Sequence, residues 1–191
     1  MAEAVPVSDA EGPKGPLQAQ FARAGLQLDG ACDGLSRYSR QWRQTAALLE
    51  DLTDDEADTL GLQMPMLHAR AGQALITEGE VGDWMLLLLG GTVDVTKRSE
   101  RGDVSRLAVI KQGAAVGEMS MLDAAPRYAT CTAIEDVQAG VLTRLAIARL
   151  IQDHPAIGAK ILVKLTQLLA QRLRNTSTQL VKCLQQHQAA D

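Results

Sequence analysis

Short runs of apolar or alternating residues, separated by turn residues, fill the middle of the chain between residues 64 and 143. The turns are rich in glycine, as at Gly90-Gly91 and Gly113, and glycine adopts the positive φ of tight turns without strain. Many short strands at regular spacing are typical of an antiparallel sandwich or barrel. The pattern predicts strands at residues 64–70, 74–77, 84–89, 92–96, 104–110, 129–133 and 137–143.

Helical patterns lie on the N-terminal side of this segment. A helix is predicted to begin at Ser36, a good N-cap residue, and to run through Leu48 and Leu49. Thr53 and Glu56 form a capping-box pattern for a further short helix that stops at Gly61. Residues 1–18 mix proline, glycine, alanine and acids without a period, which is typical of a flexible arm.

The helical period returns after Leu145. A short helix is predicted to end near His154, and Pro155 suits the first turn of a long helix that reaches Gln188. One apolar stripe of this helix comprises Ile157, Ile161, Leu165 and Leu168. A second, at heptad spacing, comprises Leu169, Leu173, Thr176, Leu180 and Cys183. So long a stripe needs a partner surface, and we expect a second copy of the chain to supply it.

Composition and charge narrow the classes of function. The net charge of −4 argues against a surface committed to nucleic acid. The N-terminus carries acids where a signal peptide has basic residues, and the longest apolar run, 84–89, is too short to span a bilayer. Three distant cysteines predict thiols rather than disulfides. We therefore expect a cytoplasmic protein.

Two charge clusters each leave two interpretations open. The acids Asp51, Asp54, Asp55, Glu56 and Asp58 are consistent with cation binding or, more simply, with a solvated helix start. The long helix carries Lys160, Lys164, Arg172, Arg174 and Lys182 without an acid, which indicates a solvated face or an acidic partner. The scattered histidines predict no metal site, and no nucleotide-hydrolase, esterase, metalloprotease or kinase motif is present.

The most informative segment is residues 117–131. Gly117 opens a short helix, Glu118 follows at once, and Pro126 precedes Arg127 at the start of a strand. N–H groups at a helix start favour an anion, and a planar guanidinium binds phosphate oxygens bidentately. A carboxylate accepts from a sugar hydroxyl, so the set describes a site for a phosphorylated sugar with a free hydroxyl. The alternative is a salt bridge between Glu118 and Arg127 that braces a loop.

These residues and the ordered motifs around them resemble the cyclic-nucleotide-binding family, to which protein kinase A regulatory subunits and the bacterial catabolite activator belong. The motifs are Ala71-Gly72, Glu78-Gly79, Gly82-Asp83, Gly91-Thr92-Val93, Gly117-Glu118 and Pro126-Arg127 with Ala129-Thr130. The resemblance covers residues 49–180. It implies a mainly β fold, a jelly-roll-like β-roll of about eight strands with flanking helices and a long C-terminal helix. We divide the chain into an arm (1–18), N-terminal helices (19–61), the β-roll (62–154) and a C-terminal dimerisation or lid helix (155–188).

The resemblance also implies a role for each site residue. Arg127 would bind the cyclic phosphate and Glu118 the ribose 2′-hydroxyl. The pocket would be lined by Gly117, Met119, Ala129 and Thr130, with backbone amides and the threonine hydroxyl as donors. Tyr128 stands where the family usually has alanine, serine or threonine, and would cover the base, crowd it or point to solvent. The threonine associated with cGMP preference is therefore absent, which favours cAMP.

A second, local likeness lies on the long helix. Residues 169–177 resemble the dimer helix of the catabolite activator, in which a Thr-Ser pair meets the adenine amine; Thr176 and Ser177 are the matching residues. The alternative is a small polar residue tolerated in a coiled-coil seam.

Taken together, the sequence predicts a non-enzymatic regulator that binds cAMP and needs no further cofactor. It would dimerise through its long helix and signal to a protein partner by helix rearrangement, without a DNA-binding domain or a membrane segment. Two alternatives stay open: another cyclic nucleotide such as cGMP or c-di-GMP as the ligand, and a protein-interaction scaffold whose pocket is degenerate.

Overall fold

Two antiparallel sheets form the centre of the computed structural model, which describes residues 16–41 and 47–188. One sheet has the order β1-β2-β9-β4-β7 and the other the order β3-β8-β5-β6. The strands are β1 Gln27–Ala31, β2 Pro65–Ala69, β3 Ala74–Ile76, β4 Trp84–Gly90, β5 Thr92–Arg98, β6 Val104–Lys111, β7 Ala115–Val116, β8 Thr130–Ala133 and β9 Val137–Thr143. The helices are α1 Pro16–Arg23, α2 Leu35–Gln41, α3 Asp54–Leu62, α4 Glu118–Asp123, α5 Arg144–Asp153 and α6 Pro155–Gln188.

Strand β4 explains how the two sheets and the helices share a core. Its residues 84–89 are all buried, because successive side chains point to opposite faces and both faces are covered. Trp84, Leu86 and Leu88 belong to the cluster between the sheets. Met85, Leu87 and Leu89 belong to a second cluster formed with the helices. The predicted mainly β fold with flanking helices and a long C-terminal helix is confirmed.

The N-terminal part of the chain differs from the sequence prediction in three places. Residues 16–18 belong to α1 rather than to the arm, whose other residues lie outside the described part. Strand β1 lies in a segment predicted to be helical; it is mostly exposed at a sheet edge and so lacks an alternating pattern. Ser36 is not an N-cap, because α2 begins at Leu35 and the Ser36 hydroxyl donates to Asp58 Oδ2 at 3.0 Å.

The other predicted helix boundaries agree with the structure to different degrees. The predicted capping box at Thr53 and Glu56 is confirmed, although α3 ends at Leu62 instead of Gly61. The helix predicted from residue 36 to 49 runs only to Gln41; residues 42–46 lie outside the described part, and residues 47–51 form a turn. The predicted break between α5 and α6 at His154 is confirmed.

Helix α6 has a proximal half, residues 155–168, and a distal half, residues 169–186. The proximal half buries Ile157, Ile161 and Leu165 against the helical cluster. The acids before and in α3 meet the lysines of this half. Lys160 Nζ lies 2.6 Å from Glu56 Oε2, and Lys164 Nζ lies 2.8 Å from Glu50 Oε2 and 2.9 Å from Asp51 Oδ2. For these two lysines, the acidic partner is therefore supplied by the same chain.

In the distal half of α6, Arg172 pairs with Glu118, and the apolar side chains beyond it are exposed. The exposed fraction is 69 % for Leu173, 59 % for Leu180 and 56 % for Leu184. Within the described ranges no helix combines the length and apolarity needed to cross a bilayer. The three cysteines are all described and none forms a disulfide; burial raises the pKa of Cys32 and of Cys131 to about 12.

Candidate ligand-binding site

The site begins at the turn from β7 into α4. Gly117 is the N-cap of α4 and has a φ of +82°, a left-handed conformation that a residue with a Cβ adopts only with strain. This turn places Glu118 in the first helical position and directs its side chain inward, where it is 0 % exposed. The sequence therefore forms the predicted Gly-Glu corner, with the acid in the interior.

Arg127 is buried beside this corner. Its Nη1 donates to Gly117 O and its Nη2 to Trp84 O, each at 2.7 Å, and its Cζ lies 4.2 Å from the centroid of the Trp84 ring. Its own backbone N donates to Glu80 O at 2.7 Å. Only 4 % of Arg127 is exposed. The guanidinium is thus held in one plane before any ligand arrives.

Two glycines leave room for this guanidinium. A Cβ built on Gly82 would lie 2.5 Å from Arg127 Nη2, and one built on Gly117 would lie 2.8 Å from Nη1. Burial lowers the pKa of Arg127, while nearby negative groups, Asp83 and Glu118 among them, act in the opposite direction. The cation is therefore enclosed by backbone and by a ring, with partial compensation from carboxylates.

Glu118 pairs with the distal half of α6. Its Oε1 accepts from Arg172 Nη1, and Arg172 Nη2 donates to Ala115 O at 2.7 Å. Its Oε2 is buried and has no hydrogen-bond partner among the described residues. Burial raises the pKa of Glu118, and the Arg172 charge opposes the rise. In the described part the carboxylate is not paired with Arg127, so the mutual salt bridge left open as an alternative is absent there.

The other predicted pocket residues line the rim of the site or its exterior. Ala129 and Thr130 are half-buried, and the Thr130 hydroxyl accepts from Glu78 N at 3.1 Å. The Met119 side chain is 44 % exposed, and the role expected for this residue in lining the pocket stays a prediction. Tyr128 is 58 % exposed, with Lys97 Nζ 4.6 Å from its ring centroid. The Tyr128 side chain is thus exposed to solvent, and its position relative to a bound base stays a prediction.

Thr176 and Ser177 lie one turn beyond Arg172 on α6, and both are exposed. Among the described residues, the polar contacts of the Glu118 and Arg127 side chains are with other residues, so within one chain the structure does not bring Thr176 and Ser177 into the same site. Their contact with a base stays a prediction that depends on a second chain.

Sequence reasoning missed two residues of the site. Arg172 was noticed only as part of a basic helix face, although a basic residue seven positions after the buried Leu165 falls on nearly the same side of α6. Trp84 was noticed only as the first residue of an apolar strand. A large aromatic residue directly after Gly82-Asp83, in a chain with 3 % aromatic residues, was the available signal.

The arrangement has a definite chemical capacity. Two of the five N–H donors of Arg127 are used by carbonyls, which leaves donors for an anion. The second oxygen of Glu118 is an unused acceptor in a dry environment, and such a group is stabilised by a hydroxyl donor. The described residues hold no cluster of His, Cys, Asp or Glu suited to a metal ion.

The family model of the Cyclic nucleotide-binding domain matches residues 66–154. A solved structure of a cyclic nucleotide-binding domain from Methylobacillus flagellatus is 31 % identical in sequence, with a TM-score of 0.73. The match covers 82 % of this chain and 88 % of that one.

Two curated relatives are larger proteins. The CRP-like cAMP-activated global transcriptional regulator of Mycobacterium tuberculosis is 28 % identical over 135 residues, which are 71 % of this chain and 58 % of the relative. The cAMP-dependent protein kinase regulatory subunit of Yarrowia lipolytica is 35 % identical over 132 residues, which are 68 % of this chain and 34 % of the relative. The matched segment thus spans about a third of one of these two relatives and somewhat over half of the other.

Proposed function

The chain belongs to the cyclic nucleotide-binding domain family, and from this we propose that it is a regulatory protein that binds cAMP and carries the signal through α6. The observation that carries the proposal is that one site holds both an enclosed cation, Arg127, and a carboxylate oxygen without a hydrogen-bond partner among the described residues, Glu118 Oε2. Arg127 offers spare N–H donors, and Glu118 Oε2 offers an acceptor. A cyclic phosphate and the ribose 2′-hydroxyl of the same nucleotide supply the matching groups.

Adenine as the base is the finer part of the proposal. Both curated relatives carry cAMP in their names, and Tyr128 replaces the small residue or threonine found at that place in the family. Tyr128 is exposed beside Lys97, so it leaves room for a purine above the site. A cytoplasmic location and a protein partner stay predictions from the sequence.

Arg172 supports a signalling route. A ribose hydroxyl that donates to Glu118 Oε2 leaves Oε1 to Arg172, so that ligand and helix share one carboxylate. A hydroxyl that donates to Oε2 supplies the missing hydrogen bond of this buried oxygen and polarises the carboxylate. The strength of the hydrogen bond between Oε1 and Arg172 changes as a result. Helix α6 would therefore be held differently with and without ligand, as a two-state regulator requires.

Dimerisation through the distal half of α6 is the remaining part. Leu173 and Leu180 fall on the heptad stripe and are exposed, at 69 % and 59 %. Heptad leucines on a long helix are covered most simply by the same helix of a second copy, through knobs-into-holes packing. Thr176 lies on that stripe, with Ser177 beside it, so a second copy would bring both near the ligand site.

Calorimetric titration of the wild type and of Arg127→Ala tests the central claim. The wild type should bind cAMP more tightly than cGMP and c-di-GMP, and 2′-deoxy-cAMP should bind weakly for want of a donor to Glu118. Arg127→Ala should lose at least about 2–3 kcal/mol, some tens- to a hundredfold in affinity, because a partly buried phosphate loses its cation. Arg127→Lys should recover part of the loss, since an ammonium lacks the planar fork.

Arg106→Ala is the matched control. Arg106 lies on β6, pairs with Asp94 at 2.7 Å and is exposed, so its loss should leave cAMP affinity unchanged. Equal affinity of Arg127→Ala and wild type, with both folded by circular dichroism, would reject the site. A preference for another cyclic nucleotide would keep the site and replace the ligand, whereas no binding at all would favour the scaffold alternative.

A further inference from the structure

One of the residues that hold the Arg127 guanidinium, Trp84, belongs to none of the sequence motifs. Trp84 is 3 % exposed at the first position of β4. Its ring centroid lies 4.2 Å from Arg127 Cζ, and its carbonyl accepts from Nη2. A guanidinium over a desolvated indole gains cation–π attraction and stacking. The indole therefore fixes the plane in which the guanidinium lies.

Helix α1 in turn fixes the indole. Trp84 Nε1 donates to Gln20 Oε1 at 3.2 Å. The Phe21 ring, 2 % exposed, packs on the indole with centroids 4.6 Å apart and an interplanar angle of 49°. Both contacts come from adjacent residues of one short helix, so α1 holds the polar edge and the apolar body of the ring together.

The same helix reaches the loop that holds the backbone of Arg127. Gln20 Nε2 donates to Val81 O at 3.3 Å. The adjoining residues of that loop bracket the arginine, since Arg127 N donates to Glu80 O at 2.7 Å and Gly79 N donates to Arg127 O at 2.9 Å. The Gln20 amide thus joins the two supports of Arg127, the ring beneath its side chain and the loop beside its backbone.

We propose that Trp84 is a positioning residue for Arg127, and that α1, acting through Gln20 and Phe21, sets the affinity of the site for a phosphate group. The proposal rests on the proposed function, in which Arg127 binds the cyclic phosphate. A planar fork meets two phosphate oxygens only in one orientation, so a guanidinium released from the indole loses bidentate contact. Displacement of residues 16–23 would then weaken ligand binding from outside the pocket.

Titration of three single variants with cAMP tests the two contacts. Trp84→Leu removes the ring but keeps the carbonyl that accepts from Nη2, and should weaken cAMP about tenfold. Gln20→Ala removes the two hydrogen bonds of the half-buried Gln20 side chain and should weaken cAMP binding about threefold. Gln18→Ala, an exposed glutamine on the same helix, should bind as the wild type. Melting temperatures are recorded for each variant.

A double-mutant cycle separates positioning from general support of the fold. In the Arg127→Lys background there is no planar group to orient, so Trp84→Leu should cost less than about threefold in cAMP affinity. An equal cost in both backgrounds would overturn the inference. If Trp84→Leu does not fold, Trp84→Phe takes its place in the cycle, because it keeps an aromatic contact with Phe21 and loses the N–H donor.

The outcomes distinguish this inference from the proposed function. If the wild type binds no cyclic nucleotide, or Arg127→Ala binds as tightly as the wild type, the proposed function fails and the inference fails with it. If Arg127→Ala loses binding while Trp84→Leu and Gln20→Ala match the wild type, the proposed function stands and the role of α1 is rejected.

Discussion

The two halves of α6 carry the same kind of apolar stripe and meet opposite surroundings. In the proximal half, Ile161 and Leu165 are 0 % exposed against the helical cluster. In the distal half, Leu173 and Leu180 are 69 % and 59 % exposed. Arg172 lies at the junction, where it holds the helix to Glu118. The helical period of apolar residues thus identifies a face that needs packing, whereas the residues that pack against it come from distant parts of the chain.

The ion pairs make the same distinction. Lys160 and Lys164 pair with Glu56, Glu50 and Asp51, and Arg172 pairs with Glu118. The helix is therefore tied to the rest of the domain as far as Arg172, and the exposed leucines beyond Arg172 are the part that awaits a partner. Three predictions test this division, beginning with the largest expected effect.

The first prediction compares one leucine from each half. Leu165→Ala should lower the free energy of unfolding by about 2–5 kcal/mol, because it leaves a cavity in a packed core. Leu173→Ala, at protein concentrations low enough to keep the chain monomeric, should change it by less than about 0.5 kcal/mol. Urea denaturation of both variants measures the difference. Similar losses in dilute solution would mean that the distal half is packed within one chain.

The second prediction concerns the distal half at higher concentration. The wild type should sediment as a dimer at tens of micromolar, and Leu173→Glu with Leu180→Glu should weaken association about a hundredfold, since four charges enter an apolar seam. The control is Leu145→Glu with Val163→Glu, which adds the same charge at exposed apolar residues outside the stripe. A monomeric wild type, or equal dissociation of both double variants, would reject the seam.

The third and smallest effect is expected at the junction. The folded-state pKa of Glu118 is raised above its ordinary value of 4.5, chiefly by burial. The stability that Glu118 contributes is therefore fully present below that value and is lost as the pH rises through the raised pKa. The side chain introduced by Glu118→Gln does not titrate. The free energy of unfolding of this variant, relative to that of the wild type, should therefore rise with pH, by no more than about 1 kcal/mol.

Thermal or urea unfolding of both proteins between pH 4 and pH 8 measures that difference. Arg172→Met, which removes the neighbouring cation, should enlarge the pH-dependent loss, because the Arg172 charge favours the ionised carboxylate. A stability difference that does not vary with pH, or that favours the wild type as the pH rises, would contradict a raised pKa of the buried Glu118 carboxyl.

The sequence predicted the elements with strong local signals and missed those that depend on distant contacts. The capping box at Thr53 and the break at Pro155 are local, and both were predicted correctly. Strand β1 was missed because an exposed edge strand carries no alternation. The role of Ser36 was wrong because its hydroxyl bonds to Asp58, twenty-two residues away.

The site divides in the same way. The chemistry of Glu118 and Arg127 was predicted from neighbouring residues, and both proved buried at one corner. Trp84 and Arg172 were missed, because their contacts with that corner span 43 and 54 residues of sequence. Met119 was expected in the pocket only because of the family resemblance; its side chain is 44 % exposed, and its role stays a prediction.

The two glycines that press on Arg127 limit the order in which this site can change over evolutionary time. A methyl group on Gly82 would lie 2.5 Å from Arg127 Nη2, and one on Gly117 would lie 2.8 Å from Nη1, so substitution at either position displaces the guanidinium. Loss of the arginine, in contrast, requires no change at either glycine. Evolution toward a domain without this arginine can therefore begin with a substitution of Arg127 alone. Once both glycines have also been replaced, recovery of the site requires Arg127, Gly82 and Gly117 to be restored together.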